Sequence, residues 1–245
     1  MIKILLNFIV IFYLLFPIQD ARADCLEAGV IHVAPYGFKS SGEIKGIHWD
    51  ALDAISKESD ICINKQLLPY KRVWQSLKNG SSDISIISVT KDRISLVSPI
   101  VQMSTVKVVV IPHTEIKITQ YDDLKSLAIG KMRGTKLSVT FDADNTINKI
   151  PLNNYLQAHE MLSNKRLDAI AGSEIGIIYY YGKHGRSKSM SINEQFLLEE
   201  RERWLHMAKK SPNQHLIPKL RDAVIRLKKQ DLFEKIKQRY LVSYE

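Results

Sequence analysis

The stretch ICINKQLLPYKRVWQSLKNGSSDISIISV, residues 61–89, holds a complete strand–helix–strand unit. Ile61–Leu68 is short and rich in Ile and Leu, as a buried strand should be. Pro69 stands where a helix can open, because its fixed φ suits the first helical turn. Val73, Trp74 and Leu77 recur at helical spacing and give that helix an apolar face, which Asn79-Gly80 ends. Ile84–Val89 is strand again. Two strands joined through a helix predict parallel neighbours with a right-handed crossover.

The alternation continues on both sides. Upstream, Val30–Ala34 reads as a short buried strand, and His48–Glu58 as a helix with Trp49, Leu52, Ile55 and Ser56 at helical spacing. Downstream, Thr105–Ile111 is a strong β segment stopped by Pro112. A second set of units follows. Tyr121–Ser126 reads as a short helix, Leu127–Lys131 as a strand, Thr135–Phe141 as a helix start, Asn153–Ser163 as a helix and Leu167–Ala171 as a buried strand. Trp204–Ala208 is a last strand, and Pro212–Lys229 and Asp231–Tyr240 are terminal amphipathic helices. The spacing Leu77-x-Asn79-x-x-x-Asp83 returns as Leu162-x-Asn164-x-x-x-Asp168, which suits two lobes of equivalent α/β units. The fold class is therefore α/β, with parallel strands flanked by helices.

A chain of 245 residues can build one large domain or two small lobes. With 45% hydrophobic and 25% charged residues, 11 Gly and 8 Pro, it is neither disordered, collagenous nor a coiled coil. The only segment apolar enough to meet a bilayer is N-terminal. There Lys3, the apolar run Phe8–Phe16, Pro17 and the small-x-small site Ala21-Arg22-Ala23 describe a cleaved secretory signal peptide over residues 1–23. Its apolar run is too short for a membrane anchor. A net charge of +9 could invite nucleic acid. Export removes that partner and leaves an anionic ligand, an anionic surface or diffuse solvated charge. In an oxidising compartment Cys25 and Cys62, each opening a strand, are placed to bridge across a loop of about 37 residues. The alternative is two unpaired buried thiols.

Motifs for catalysis are absent. The seven histidines, His32, His48, His113, His159, His184, His206 and His215, show no metal spacing. There is no G-x-S-x-G, no P-loop and no G-x-G-x-x-G after a strand. No metal or cofactor is expected. Tyr179-Tyr180-Tyr181 has the look of a stacking platform, although aromatics at a helix end more often pack.

The ordered pieces closely resemble one family. They are Gly46–Asp50, Pro69-Tyr70-Lys71-Arg72, Leu77–Asp83, Ser88–Arg93 and Ser98-Pro99. Asp123-Leu124, Gly130, Gly134-Thr135, Leu167-Asp168-Ala169 and Ala208–Pro212 complete the series. The chain resembles the family 3 periplasmic solute-binding proteins of amino-acid ABC transporters, which have the type 2 periplasmic binding fold. That resemblance implies two lobes, each a mostly parallel sheet flanked by helices, joined by two crossover strands and closing on a ligand. The first lobe would hold residues 24–111 and 200–245, the second residues 112–199. The crossings would fall near Ile111 and Glu200, leaving Trp204–Ala208 outside the sheet of Leu167–Ala171. A monomeric periplasmic protein is implied, with a small-molecule ligand and an inner-membrane permease as partners.

The resemblance also points to ligand residues. Arg93 would fork onto a ligand carboxylate, with Ser88 adding a hydroxyl. A surface pair with Asp92 is the plain alternative. Thr135, at a helix start, would offer its hydroxyl and helix amides, or simply cap the helix. Tyr36 or Phe38 would lie against the ligand, or serve as core at the lobe rim. Tyr70 and Arg72 open a helix at the cleft end, where Arg72 could equally be a surface residue. Relatives place an acidic residue after the Leu-Asp-Ala strand to hold an α-ammonium. Here Ser173 takes that place, with Glu174 beside it. The segment from Asp83 to Arg93 is two residues shorter than in standard amino-acid binders. Both departures favour another small carboxylate or polar solute over an ordinary α-amino acid. Two rival classes remain: a dehydratase-type enzyme on the same scaffold, with Glu174 as its acid–base group, and a sensory module acting through a partner.

Overall fold

The computed structural model describes residues 25–183 and 189–241, so the signal peptide expected over 1–23 lies outside it. The chain begins with β1 (Leu26–Ile31) and a hairpin of β2 (Phe38–Ser40) and β3 (Glu43–Lys45). Next come α1 (Ile47–Ser59), β4 (Ile63–Leu68), α2 (Tyr70–Asn79) and β5 (Ile84–Ile87). The strand–helix–strand unit is thus present. Pro69 precedes the first residue of α2, and Gly80 ends it with a left-handed φ of 85°, a conformation glycine adopts without strain.

A long strand, β6 (Val97–Pro112), then leads to β7 (Ala128–Met132), α3 (Val139–Ala143), β8 (Asn148–Leu152), α4 (Tyr155–Ser163), β9 (Ala169–Ser173) and α5 (Glu174–Lys183). A second long strand, β10 (Phe196–Ala208), returns to α6 (Ile217–Lys229) and α7 (Leu232–Leu241). Eight strands form one sheet in the order β4-β1-β5-β10-β6-β9-β7-β8. The order is a palindrome. β1 pairs in parallel with β4 and β5, as β7 does with β8 and β9. β5 meets β10 antiparallel, and β9 meets β6 in the same way.

Each half of the sheet has its own core on both faces. In the first lobe Leu52 and Ile55 of α1 and Leu220 and Val224 of α6 cover one face, and Val73, Trp74 and Leu77 of α2 the other. In the second, Val108 and Val110 point to a core with Phe141, while Val109 and Ile111 point to one with Leu162. This is the period-two alternation of a strand covered on both sides.

Several boundaries depart from the sequence reading. The crossover strands run through both lobes: Ile100 packs in the first-lobe core, whereas Val108 already packs in the second. The side chains of β6 thus change core between Ile100 and Val108. Trp204–Ala208 and β9 also belong to one continuous sheet, because β6 pairs with β10 along its length and with β9 near its end. No breaker interrupts the middle of either long strand. The helix expected from Thr135 starts at Val139, with the Ser138 hydroxyl accepting the Phe141 amide. Strand β8 was hidden by its polar start and by Pro151, which suits an edge position. Cys25 and Cys62 form a disulfide across 37 residues, beside the β1–β4 ladder. A loop of that length corresponds to about 3–4 kcal/mol in the chain-entropy account.

Candidate functional site

The lobes face each other where β6 and β10 cross, around a cavity of about 100 Å³. The turn after β1 supplies Tyr36. Its position depends on Gly46, at φ 142°, where a side-chain carbon would lie 2.5 Å from the Tyr36 carbonyl oxygen. The close approach lets the His48 amide donate to that oxygen at 2.9 Å, locking α1 to the turn. The Tyr36 hydroxyl then shares a 2.6 Å hydrogen bond with Ser173 Oγ at the end of β9, joining the lobes across the cleft. Ser173 is held in turn by its amide, which donates to the Tyr155 hydroxyl at 3.3 Å. Burial pushes the Tyr155 phenol well above its ordinary range, so it stays a neutral donor and acceptor.

Five residues singled out from sequence border this one cavity: Tyr36, Tyr70, Ser88, Thr135 and Ser173. Ser88 follows β5, and its hydroxyl has no hydrogen-bond partner among the described residues. Thr135 lies in a turn, where its hydroxyl donates to the Met132 carbonyl at 2.7 Å, so no helix amides accompany it. Arg93 stands beside the cavity rather than on its wall. Its guanidinium lies 5.0 Å from the Trp74 ring and 5.8 Å from that of Tyr70. Its Nη1 is buried without a hydrogen-bond partner among the described residues, and Nε is 3.7 Å from the exposed Asp92 carboxylate.

Three expected residues lie elsewhere. Phe38 packs in an aromatic cluster with Tyr179 at 5.6 Å and Tyr240 at 6.0 Å. Arg72 is exposed on the first turn of α2, because the apolar face of that helix takes Val73 and Trp74 inward. Glu174 accepts from Gln195 Nε2 at 2.6 Å and does not border the cavity.

The sequence reading missed the basic residues of β10 and the loop before α3. Lys136, Arg201 and Arg203 border the cavity, and among the described residues no acidic one joins them on its wall. Arg201 is already paired: its Nε and Nη2 each lie 3.0 Å from Glu199 carboxylate oxygens, and Nη1 donates to the Lys136 carbonyl at 2.6 Å. Arg203 is buried and stacks on Tyr36, 4.1 Å from the ring centroid. Burial, then the Arg203 charge, hold His48 well below the ordinary imidazole range. Among the described residues no group of three or more His, Cys, Asp or Glu side chains could hold a metal ion.

Two α/β lobes joined by two long strands, with a cationic cavity at the crossing, define a two-lobed binding-protein architecture of the periplasmic type. The chain belongs to the bacterial extracellular solute-binding proteins, family 3, whose pattern matches residues 27–243. It is 22% identical over 232 residues to the "Probable amino-acid-binding protein YxeM" of Bacillus subtilis, covering 87% of this chain and 84% of that one. It is 24% identical over 244 residues to the "Probable histidine-binding protein" of Neisseria gonorrhoeae, covering 92% and 88%. Among solved structures, an ancestral arginine-binding protein bound to arginine shares the fold with a TM-score of 0.72 at 21% identity, covering 88% of this chain and 97% of that one.

 

ArgBP from T. maritima shares the fold with a TM-score of 0.75 at 16% identity, covering 89% and 95%. These matched relatives are binding proteins, and no helix among the described residues is long and apolar enough to cross a membrane.

Proposed function

We propose that the protein captures a small polar or carboxylate-bearing, amino-acid-like solute in the cleft and delivers it to an ABC transporter permease. It works without catalysis, as a monomer in the periplasm, after loss of a signal peptide carrying Lys3, Phe8–Phe16 and Ala21-Arg22-Ala23. Residues 24–111 with 200–245 act as one lobe and residues 112–199 as the other. Ligand contacts from both lobes favour the closed state by population shift.

The observation that carries this reading is the cationic cavity between the lobes, whose wall has no acidic side chain among the described residues. The names of the relatives, a "Probable amino-acid-binding protein", a "Probable histidine-binding protein" and an arginine-binding protein bound to arginine, support a solute of that size. Arg93 adds a guanidinium with a buried, unpartnered Nη1 beside Tyr70. The test is a mass spectrum of ligand carried by purified protein, followed by calorimetry on the ligand found. Arg93→Ala should weaken binding about ten- to hundredfold, since a hydrogen bond to a charged group contributes roughly 1.5–3 kcal/mol. The unliganded melting temperature should hardly change. Undiminished affinity in Arg93→Ala would remove the arginine from the site.

A further inference from the structure

Arg203 carries a buried charge that no acidic side chain among the described residues compensates. It is 8% exposed, and among the described residues no carboxylate lies within ion-pair distance. Its Nη1 lies 3.3 Å from His48 Nε2, and its Nε is buried without a partner among the described residues. Arginine can only donate, so His48 Nε2 accepts and the imidazole proton sits on Nδ1, which has no partner either. A neutral imidazole and the Tyr36 ring soften the charge without cancelling it. Glu199, four residues earlier on β10, is taken by Arg201. Behind Arg203 lies a second cavity bordered by Asp231 and Glu234, but Lys228 and Lys237 border it too, and Lys237 pairs with Glu234 at 2.6 Å. The β10–β6 register shifts between Arg203 and Trp204, the kind of irregularity that re-aims a side chain. A buried charge without a partner is costly, so its retention calls for a counter-ion from outside the chain.

We infer that Arg203 anchors an anionic group of the ligand at the hinge strand, and that the ligand is a small organic acid without an ammonium group. This rests on the solute-capture reading and narrows it. An ammonium entering the cavity would meet Lys136, Arg201 and Arg203 with no carboxylate on the wall. The Ser173 hydroxyl, a neutral acceptor, is already engaged with Tyr36.

Calorimetry on the purified protein with three matched pairs tests this: succinate against aspartate, glutarate against glutamate, and propionate against alanine, with arginine as a further probe. At least one acid should bind tenfold or more tightly than its amino counterpart. Arg203→Met should weaken that acid at least tenfold while the unliganded melting temperature holds or rises, because the uncompensated charge is gone. Arg203→Lys should restore part of the binding. Tighter binding of an amino acid overturns the inference and leaves solute capture standing. Unchanged acid affinity in Arg203→Met, with a lower melting temperature, makes the arginine structural. Silence from every probe overturns the inference and counts against the capture reading as well.

Discussion

Strand β5 opens after Asp83 in the first lobe, and β9 opens after Asp168 in the second. The two aspartates make the same contacts. Asp83 donates its amide to the Glu27 carbonyl at 2.7 Å, and its carboxylate accepts the Glu27 amide at 2.8 Å. Asp168 does both with Ala128, at 2.9 and 2.7 Å. Each carbonyl also takes an amide at the end of a crossover strand, Ala208 for Asp83 and His113 for Asp168. The L-x-N-x-x-x-D echo thus marks a register lock used twice. The difference is in what else holds it. Asp83 also accepts from Ser211 Oγ at 2.6 Å and Asn213 Nδ2 at 3.3 Å, tying the C-terminal return to the first sheet. One backbone demand repeats the lock, while local tethers make the first lobe the more heavily fastened.

The sharpest break of this comparison is Asp83→Ala against Asp168→Ala. Removing Asp83 strands a strand amide, a buried hydroxyl and a side-chain amide, and should cost about 4 kcal/mol, near the upper range for single substitutions. Asp168→Ala strands one amide and should cost about 2 kcal/mol. Denaturant unfolding of both variants measures the gap, and equal losses would mean that the Ser211 and Asn213 contacts contribute little.

A second difference is acid sensitivity. Burial lowers His206, on the first-lobe end of β10, from 6.5 to about 4. The unfolded chain therefore takes the proton first. This contribution to stability is complete above about pH 6.5, declines as the pH falls toward 4, and amounts to roughly 3 kcal/mol. Buried His48 adds to the same trend. Melting temperature followed from pH 7 to pH 4 should drop, and His206→Leu should flatten the curve. A wild-type curve with no drop would mean that His206 protonates as easily folded as unfolded.

The alternation of elements was legible because apolar runs and their breakers are local. Val73, Trp74 and Leu77 announce a helix face wherever the chain places it. Partnership is less local. Glu199, Glu200, Arg201, Glu202 and Arg203 read as a solvated charge run, and only pairing of β10 with β6 turns Arg203 inward while Glu199 takes Arg201. The full length of β6 was hidden in the same way, since Gln102, Ser104 and Thr105 are held in the strand by β10 rather than by their own propensity. Among residues bordering the cavity, position after a strand end pointed to Tyr36, Ser88 and Ser173. The same rule failed for Arg72, whose direction is set by the helix face beside it.

The smallest effect separates the two cleft hydroxyls. Ser88 of the first lobe makes no hydrogen bond within the described chain, whereas Thr135 of the second spends its hydroxyl on the Met132 carbonyl. A ligand can therefore recruit Ser88 at no cost to the fold, but would have to compete with a turn for Thr135. Ser88→Ala should weaken binding of the identified ligand about fivefold, the equivalent of one neutral hydrogen bond of about 1 kcal/mol, with unfolding unchanged. Thr135→Val should do the reverse, lowering stability by about 1 kcal/mol and changing affinity less than twofold. Calorimetry and denaturant unfolding on both variants read the two axes independently. If Thr135→Val instead lowers affinity as much as Ser88→Ala, its hydroxyl must leave the Met132 carbonyl when the lobes close, and both lobes then offer the ligand a hydroxyl.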